Sequence, residues 1–385
     1  MKTMKVARIS TMSFFIATQL KGQLLYLKDK GLNLTIISGK DKGMDVVESF
    51  GVEYVQNNIP RKISPVRDLW SLIKLFFVFK KNNFDLIHSV TPKAGLLSAV
   101  AGFFAGTPVR VHTFTGIRWI NMKGLRRSLL KNLDRLLLLL NTQVYSDSFF
   151  QRELLFKEGL ISKPEVVKVL GKGSLSGIDL NRFNKKSELI NKKRIYELLQ
   201  INENAFIFLF IGRITEEKGV LELVRSFKRM KPTTKDLKLI LVGPMEADKE
   251  TEAVLRKEAK IDSNIIIKDY SSTPEEYYSI ADVFCLPSYR EGFGTSILEA
   301  AAMHVPSIGS NIEGLKESII DGETGLLVEA GNVEELYQCM ERILYDEDLR
   351  FSLANEAYNR VKKYFDAEEL NRMLLEDYRN LLQSI

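Results

Sequence analysis

Cysteine is nearly absent from this chain: its 385 residues hold two, Cys285 and Cys339, far apart and in no CxxC pair. A disulfide framework and a thiolate zinc site are not expected, and a reducing cytoplasm fits. Histidine is equally scarce, with only His88, His112 and His304, so a histidine-built metal centre is not expected either. No uncharged apolar run reaches the ~18 residues that would suggest a membrane-spanning helix. The opening segment MKTMKVARIS runs straight into a strand pattern and lacks the apolar core of a signal peptide. Charge of one sign is not concentrated: the formal net charge of +6 is modest and spread. Nucleic-acid binding would want a clustered basic stripe, so no nucleic-acid partner is expected. Basic residues instead stand beside apolar runs in the first half, which suits an anionic membrane surface or a lysine-rich soluble protein.

The length suggests two domains, each large enough to bury a core. Short apolar runs read as strands at Val6–Ser10, Leu32–Ser38, Leu86–Val90, Val109–Thr113 and Val144–Ser146, then again at Phe206–Ile211, Leu237–Gly243, Ile265–Ile267, Val283–Pro287 and Ser307–Ser310. Helical patterns lie between them. Such alternation, met twice, predicts two doubly wound α/β lobes with parallel sheets covered on both faces. The segment Leu170–Phe183, LGKGSLSGIDLNRF, has no helical periodicity and reads as a hinge. The boundaries expected are 1–172, 173–365 and a terminal helix over 366–385. That helix carries Leu370, Met373, Leu374, Tyr378, Leu381, Leu382 and Ile385 at helical spacing, and a fold back onto the first lobe would bury them. Two lobes joined by a hinge would face each other across a cleft at the carboxyl ends of their strands, where open α/β sheets bind ligands.

Two first-half segments are unusually apolar. One is Leu69–Phe79, LWSLIKLFFVF, followed by Lys80 and Lys81. The other is Leu125–Leu140, which carries Arg126, Arg127, Lys131 and Arg135 before five leucines. Helices of this kind lie on membrane surfaces, but runs this short are more often buried core helices.

Two loops carry the chemistry. Glu291-Gly-Phe-Gly-Thr-Ser-Ile-Leu-Glu299 follows a strand and opens a helix, whose first turn Thr295 or Ser296 is suited to cap. Its glycines permit close backbone approach. A helix N-terminus favours an anion, and carboxylates accept from sugar hydroxyls. The other loop, Gly212-Arg213-Ile-Thr-Glu-Glu-Lys218-Gly219, also joins a strand to a helix. It offers a guanidinium fork and a mobile ammonium to phosphate oxygens. Each side chain alone could be an ordinary solvated charge; the strand–loop–helix settings make chance a poor account of the set.

In these motifs the second half resembles family 4 of the retaining glycosyltransferases, which have the GT-B fold, and most of all its bacterial members of capsule, O-antigen and exopolysaccharide assembly. The resemblance runs through IGRITEEKGVLELVRSF, LILVGP and YYSIADVFCLPSYREGFGTSILEAAAMHVPSIGSNIEGLKESIIDGETGLLVEAGN, with Glu291 and Glu299 as the Glu-x7-Glu hallmark. The first half matches more loosely. The resemblance implies an acceptor-binding first domain and a second domain holding the nucleotide sugar. It implies that Arg213 and Lys218 neutralise the donor diphosphate, that Glu299 binds the ribose, and that Glu291 contacts the transferred sugar. The backbone of Gly292, Phe293, Gly294 and Thr295 would line the site. His112, at a strand end in VHTFTG, would serve the sugar from the first domain, with His88 second to it. The implied reaction retains anomeric configuration, with no metal and no cofactor beyond the donor, for which UDP is the commoner nucleotide.

The implied acceptor is a polyprenyl-diphosphate-linked saccharide, which would make the protein cytoplasmic and peripheral at the inner face of a bacterial membrane. A soluble-acceptor synthase, a sugar-nucleotide epimerase and an inactive nucleotide-sugar scaffold are the alternatives. The acidic pair Asp346-Glu-Asp348 reads as a helix cap rather than a metal site. Two departures from the family stand out. Ser10-Thr11-Met12-Ser13-Phe14-Phe15 replaces its glycine pair, and His304 replaces a glycine in the turn after Glu299, where a structural role is expected.

Overall fold

The computed structural model describes residues 4–120, 122–185, 192–230 and 236–384. The chain divides into two units, Met1–Gly177 with Ala367–Ile385, and Ile178–Asp366. In the first, a seven-stranded sheet comprises β1 (Lys5–Met12), β2 (Asn33–Gly39), β3 (Glu53–Gln56), β4 (Leu86–Ser89), β5 (Val109–Phe114), β6 (Gln143–Ser146) and β7 (Val167–Lys168), in the order β3-β2-β1-β4-β5-β6-β7. The second has six strands, β8 (Phe206–Ile211), β9 (Leu237–Val242), β10 (Ile265–Lys268), β11 (Val283–Leu286), β12 (Ser307–Ser310) and β13 (Gly325–Val328), in the order β10-β9-β8-β11-β12-β13. Every pairing is parallel. Setting β7 aside, the two orders are the same. Each sheet grows one way for three strands, then returns to the far side of its first strand. The switch points therefore lie between β1 and β4 and between β8 and β11.

Successive strand residues face opposite sides. Val6, Ile36 and Leu86 enter one core of the first unit, while Ala7, Ile37 and Ile87 enter another. Both faces are covered, so apolar runs are continuous rather than alternating, as in FIFLFI of β8. The terminal helix Ala367–Gln383 belongs to the first unit and buries Leu370, Leu374, Leu375 and Tyr378; Ile385 lies outside the described residues. Its Asp377 accepts from Tyr145 and Lys168, and its Tyr378 hydroxyl accepts from Arg8 Nη1 at 2.7 Å and bonds His88 Nδ1.

The expectation of buried core helices fails on two outer faces. Helix Pro65–Asn82 buries Ser71, Leu75 and Phe79, yet leaves Trp70 68% and Phe77 63% exposed. Helix Gly124–Leu140 buries only Leu137, with Leu125 90% and Leu139 78% exposed. Both pack on helix Pro92–Ala105, whose Phe103 and Phe104 are also exposed. Arg67, Lys74, Arg126 and Arg135 are exposed among them. Among the described residues no helix is long and apolar enough to cross a membrane.

Candidate functional site

At the switch point of the second sheet, the loops leaving β8 and β11 are bound to each other. After Gly212 the chain makes a short helical turn, Glu216–Lys218, and starts helix Val220–Lys228 from Gly219 at φ 67°. A Cβ at Gly219 would stand 2.0 Å from the Pro287 carbonyl oxygen. Only glycine allows both the left-handed turn and this approach. The Tyr289 N–H donates to the Glu217 carbonyl at 2.8 Å, and Arg290 lies 3.1 Å from the Glu217 carboxylate. The ammonium of Lys218 bonds Glu291 Oε1. Ser288 Oγ donates to that same oxygen at 2.8 Å. The Lys218 and Glu291 side chains are 16% and 12% exposed, so the pair is largely shielded from water. The short helix Glu313–Lys316 packs on the backbone of Glu291, because a Cβ at Gly314 would come 2.1 Å from its carbonyl oxygen.

Glu299 stands on helix Thr295–Ala302, half-buried, and accepts from the Tyr278 hydroxyl at 3.1 Å. Burial pushes its carboxyl up to about 7, against the opposing pull of the Tyr278 hydrogen bond and the Arg182 charge. The expected hydroxyl cap is corrected. Gly294, at φ 74°, is the N-cap and no side chain caps the helix; Thr295 is its first residue. The Phe293 side chain is core, its ring 5.7 Å from that of Phe365, so it can line a site only through its backbone, next to Gly292. Arg213 leaves the same loop as Lys218 but is half-exposed and pairs with Glu246 at 3.2 Å. The structure thus joins Lys218 to Glu291 directly and gives Arg213 and Glu299 other partners. Ser288, Tyr278, Glu246 and Gly314 were not singled out by sequence; Ser288 and Tyr278 lie within the quoted YYSIADVFCLPSYREGFG run.

The first unit treats its histidines differently. His112 lies inside β5 rather than at its end, 1% exposed. Its Nδ1 is 3.0 Å from Ser89 Oγ, and its Nε2 is buried with no hydrogen-bond partner. Burial pushes it down to about 3, which the Ser89 hydrogen bond only partly opposes, so the ring is neutral. His88 has both nitrogens engaged, Nδ1 with Tyr378 and Arg8, and Nε2 with Thr113 Oγ1 at 2.7 Å. Burial, then the Arg8 charge, hold it well below the usual imidazole range. Ser10–Phe15 is not a loop: β1 runs to Met12 and a helical turn, Ser13–Phe15, follows at once, and the N–H groups of Thr11 and Phe14 donate to Thr91 Oγ1 and Asp41 Oδ1, at 3.0 and 2.8 Å. His304 adopts φ 53° and stacks on Tyr358 with ring centroids 3.9 Å apart, as a structural role requires. Asp346 caps helix Glu347–Tyr364 by accepting from the Leu349 N–H at 2.9 Å.

Two Rossmann-like parallel sheets, each with its switch point, define the GT-B fold. A solved glycosyltransferase from Rickettsia africae has that fold with a TM-score of 0.83, at 22% identity over the whole of both chains. Family models go further: a glycosyl transferase 4-like model matches residues 7–148, and the model for glycosyl transferases group 1 matches residues 191–360. The chain belongs to the glycosyltransferases that these two models describe together, with a 4-like first half and a group 1 second half. Among its relatives, the capsular polysaccharide biosynthesis glycosyltransferase CapM of Staphylococcus aureus is 29% identical over 100% of this chain and 99% of its own. The UDP-Gal:alpha-D-GlcNAc-diphosphoundecaprenol alpha-1,3-galactosyltransferase of Escherichia coli is 26% identical over 80% of this chain and 81% of its own.

Proposed function

We propose that this protein transfers a sugar from a nucleoside-diphosphate sugar, a UDP-sugar, to a hydroxyl of a polyprenyl-diphosphate-linked saccharide in bacterial surface polysaccharide assembly. The observation that carries the reading is the Lys218–Glu291 pair at the β8/β11 switch point. A largely shielded ammonium and carboxylate in contact suit a ligand carrying both phosphate and hydroxyl groups. In this reading Lys218 exchanges Glu291 for the diphosphate, and Arg213 leaves Glu246 to share the charge. That neutralisation stabilises the leaving group without a metal ion. Glu291, released, accepts from the transferred sugar, and Glu299 accepts from the ribose. The acceptor oxygen attacks the anomeric carbon on the face the diphosphate leaves, so configuration is retained.

The lipid-linked acceptor has two supports. The E. coli relative is described by its diphosphoundecaprenol acceptor. The exposed apolar faces of helices Pro65–Asn82 and Gly124–Leu140, edged with Arg and Lys, suit attachment to an anionic inner-membrane surface. The test is donor consumption with a polyprenyl-diphosphate saccharide in anionic vesicles. Consumption by the unaltered chain and its loss in Glu291→Ala are expected. Equal consumption by both would defeat the assignment.

A further inference from the structure

We propose that Ser288 is a positioning residue that holds one oxygen of Glu291 so that the other is presented to the transferred sugar; this rests on the donor reading above. Ser288 is fully buried, and its hydroxyl donates to Glu291 Oε1. Lys218 bonds the same atom, and among the described residues none hydrogen-bonds Oε2. The carboxylate is therefore held from one side and open on the other.

The two holds differ in what happens when a donor arrives. The ammonium is a mobile point charge that a diphosphate, with more negative charge, attracts away from Glu291. The Ser288 hydroxyl has no charge for a phosphate to attract and is shut in at the β11 end. Its bond to Glu291 Oε1 therefore survives the exchange. Gly314 meanwhile fixes the Glu291 backbone. With backbone and one oxygen fixed, the free oxygen meets a sugar hydroxyl without first losing rotamer freedom. Without Ser288, departure of Lys218 would leave the carboxylate unrestrained. Ser288 thus acts on the sugar part of the donor, and Lys218 on both parts.

The measurement is the affinity of UDP and of a UDP-sugar for the unaltered full chain, Ser288→Ala and Ser288→Thr, together with kcat. In Ser288→Ala the UDP affinity should stay within about twofold. The extra affinity contributed by the sugar should fall about tenfold, the scale of a lost hydrogen bond to a charged group, and kcat should fall with it. Ser288→Thr, which keeps the hydroxyl, should restore both. An unchanged sugar contribution in Ser288→Ala overturns the proposal, as does an equal loss for UDP and UDP-sugar, the mark of general misfolding. Failure of the unaltered chain to bind any nucleoside-diphosphate sugar overturns the donor reading, and this proposal with it.

Discussion

The two switch points share a topology and differ in chemistry. At β8/β11 a glycine lets two loops touch, and the groups they carry, Lys218 and Glu291, remain partly open to water. At β1/β4 the corresponding region is closed. Arg8 and His88 are buried against Tyr378, and the N–H groups of Thr11 and Phe14, where β1 passes into a helical turn, are taken by Thr91 and Asp41. The same strand order therefore serves two purposes. In the second unit the polar groups pair across two loops, where we place the donor; in the first they anchor the terminal helix. Strand topology offers a place for a site, and the side chains at the strand ends decide whether it is used.

Truncating the anchor should expose the difference most strongly. Tyr378→Ala removes a large buried ring and leaves Arg8 and His88 short of a partner. It should lower the opening free energy of β1 and β4 by roughly 3–5 kcal/mol, read by amide hydrogen exchange, while UDP-sugar affinity of the remaining folded protein holds. A comparable loss in β8 and β11 would show that the two regions are not separate in role. On the outer surface of the first unit, Leu125→Gln with Leu139→Gln should weaken binding to anionic vesicles by at least about a hundredfold, since each buried leucine contributes roughly 1.5–3 kcal/mol. Unchanged flotation would remove the membrane from the account.

The smallest effect concerns pH. The Glu299 carboxyl is raised to about 7 from an ordinary value of 4.5. The fold thus favours its protonated form, and the stability this group contributes is lost as pH rises from about 4.5 through 7. A ribose hydroxyl donating to the ionised carboxylate reverses the sign for binding. Donor affinity should therefore rise about tenfold between pH 6 and pH 8, measured by calorimetry, and lose that slope in Glu299→Gln. A slope that persists in the variant would assign the titration to another group.

Most of the framework was legible because central strands buried on both faces need continuous apolar runs; β8 and β12 fall where those runs do. The strands that sequence did not suggest are β3, β7 and β13, all at sheet edges. An edge strand has a neighbour on one side only. Glu53–Gln56 accordingly has polar ends and no residue fully buried, and Val167–Lys168 is two residues long. The motif residues were legible from their place between strand and helix, but their partners were not. Tyr278 meets Glu299 across 21 positions and Arg213 meets Glu246 across 33, and nothing local encodes such pairings. Helix exposure was misjudged for a related reason. Leu125 and Leu139 carry the same hydropathy whether a neighbour covers them or not.

The central claim is that the Lys218 and Glu291 loops hold a nucleoside-diphosphate sugar, and binding across a panel of UDP- and GDP-sugars tests it most directly. A ligand at a hundredfold its dissociation constant adds about 2.7 kcal/mol to stability, readily seen as a thermal shift. The account predicts a shift with at least one UDP-sugar that is absent in Lys218→Ala and reduced to that of UDP alone in Glu291→Ala. Shifts of equal size in all three proteins, or none in any, would contradict it.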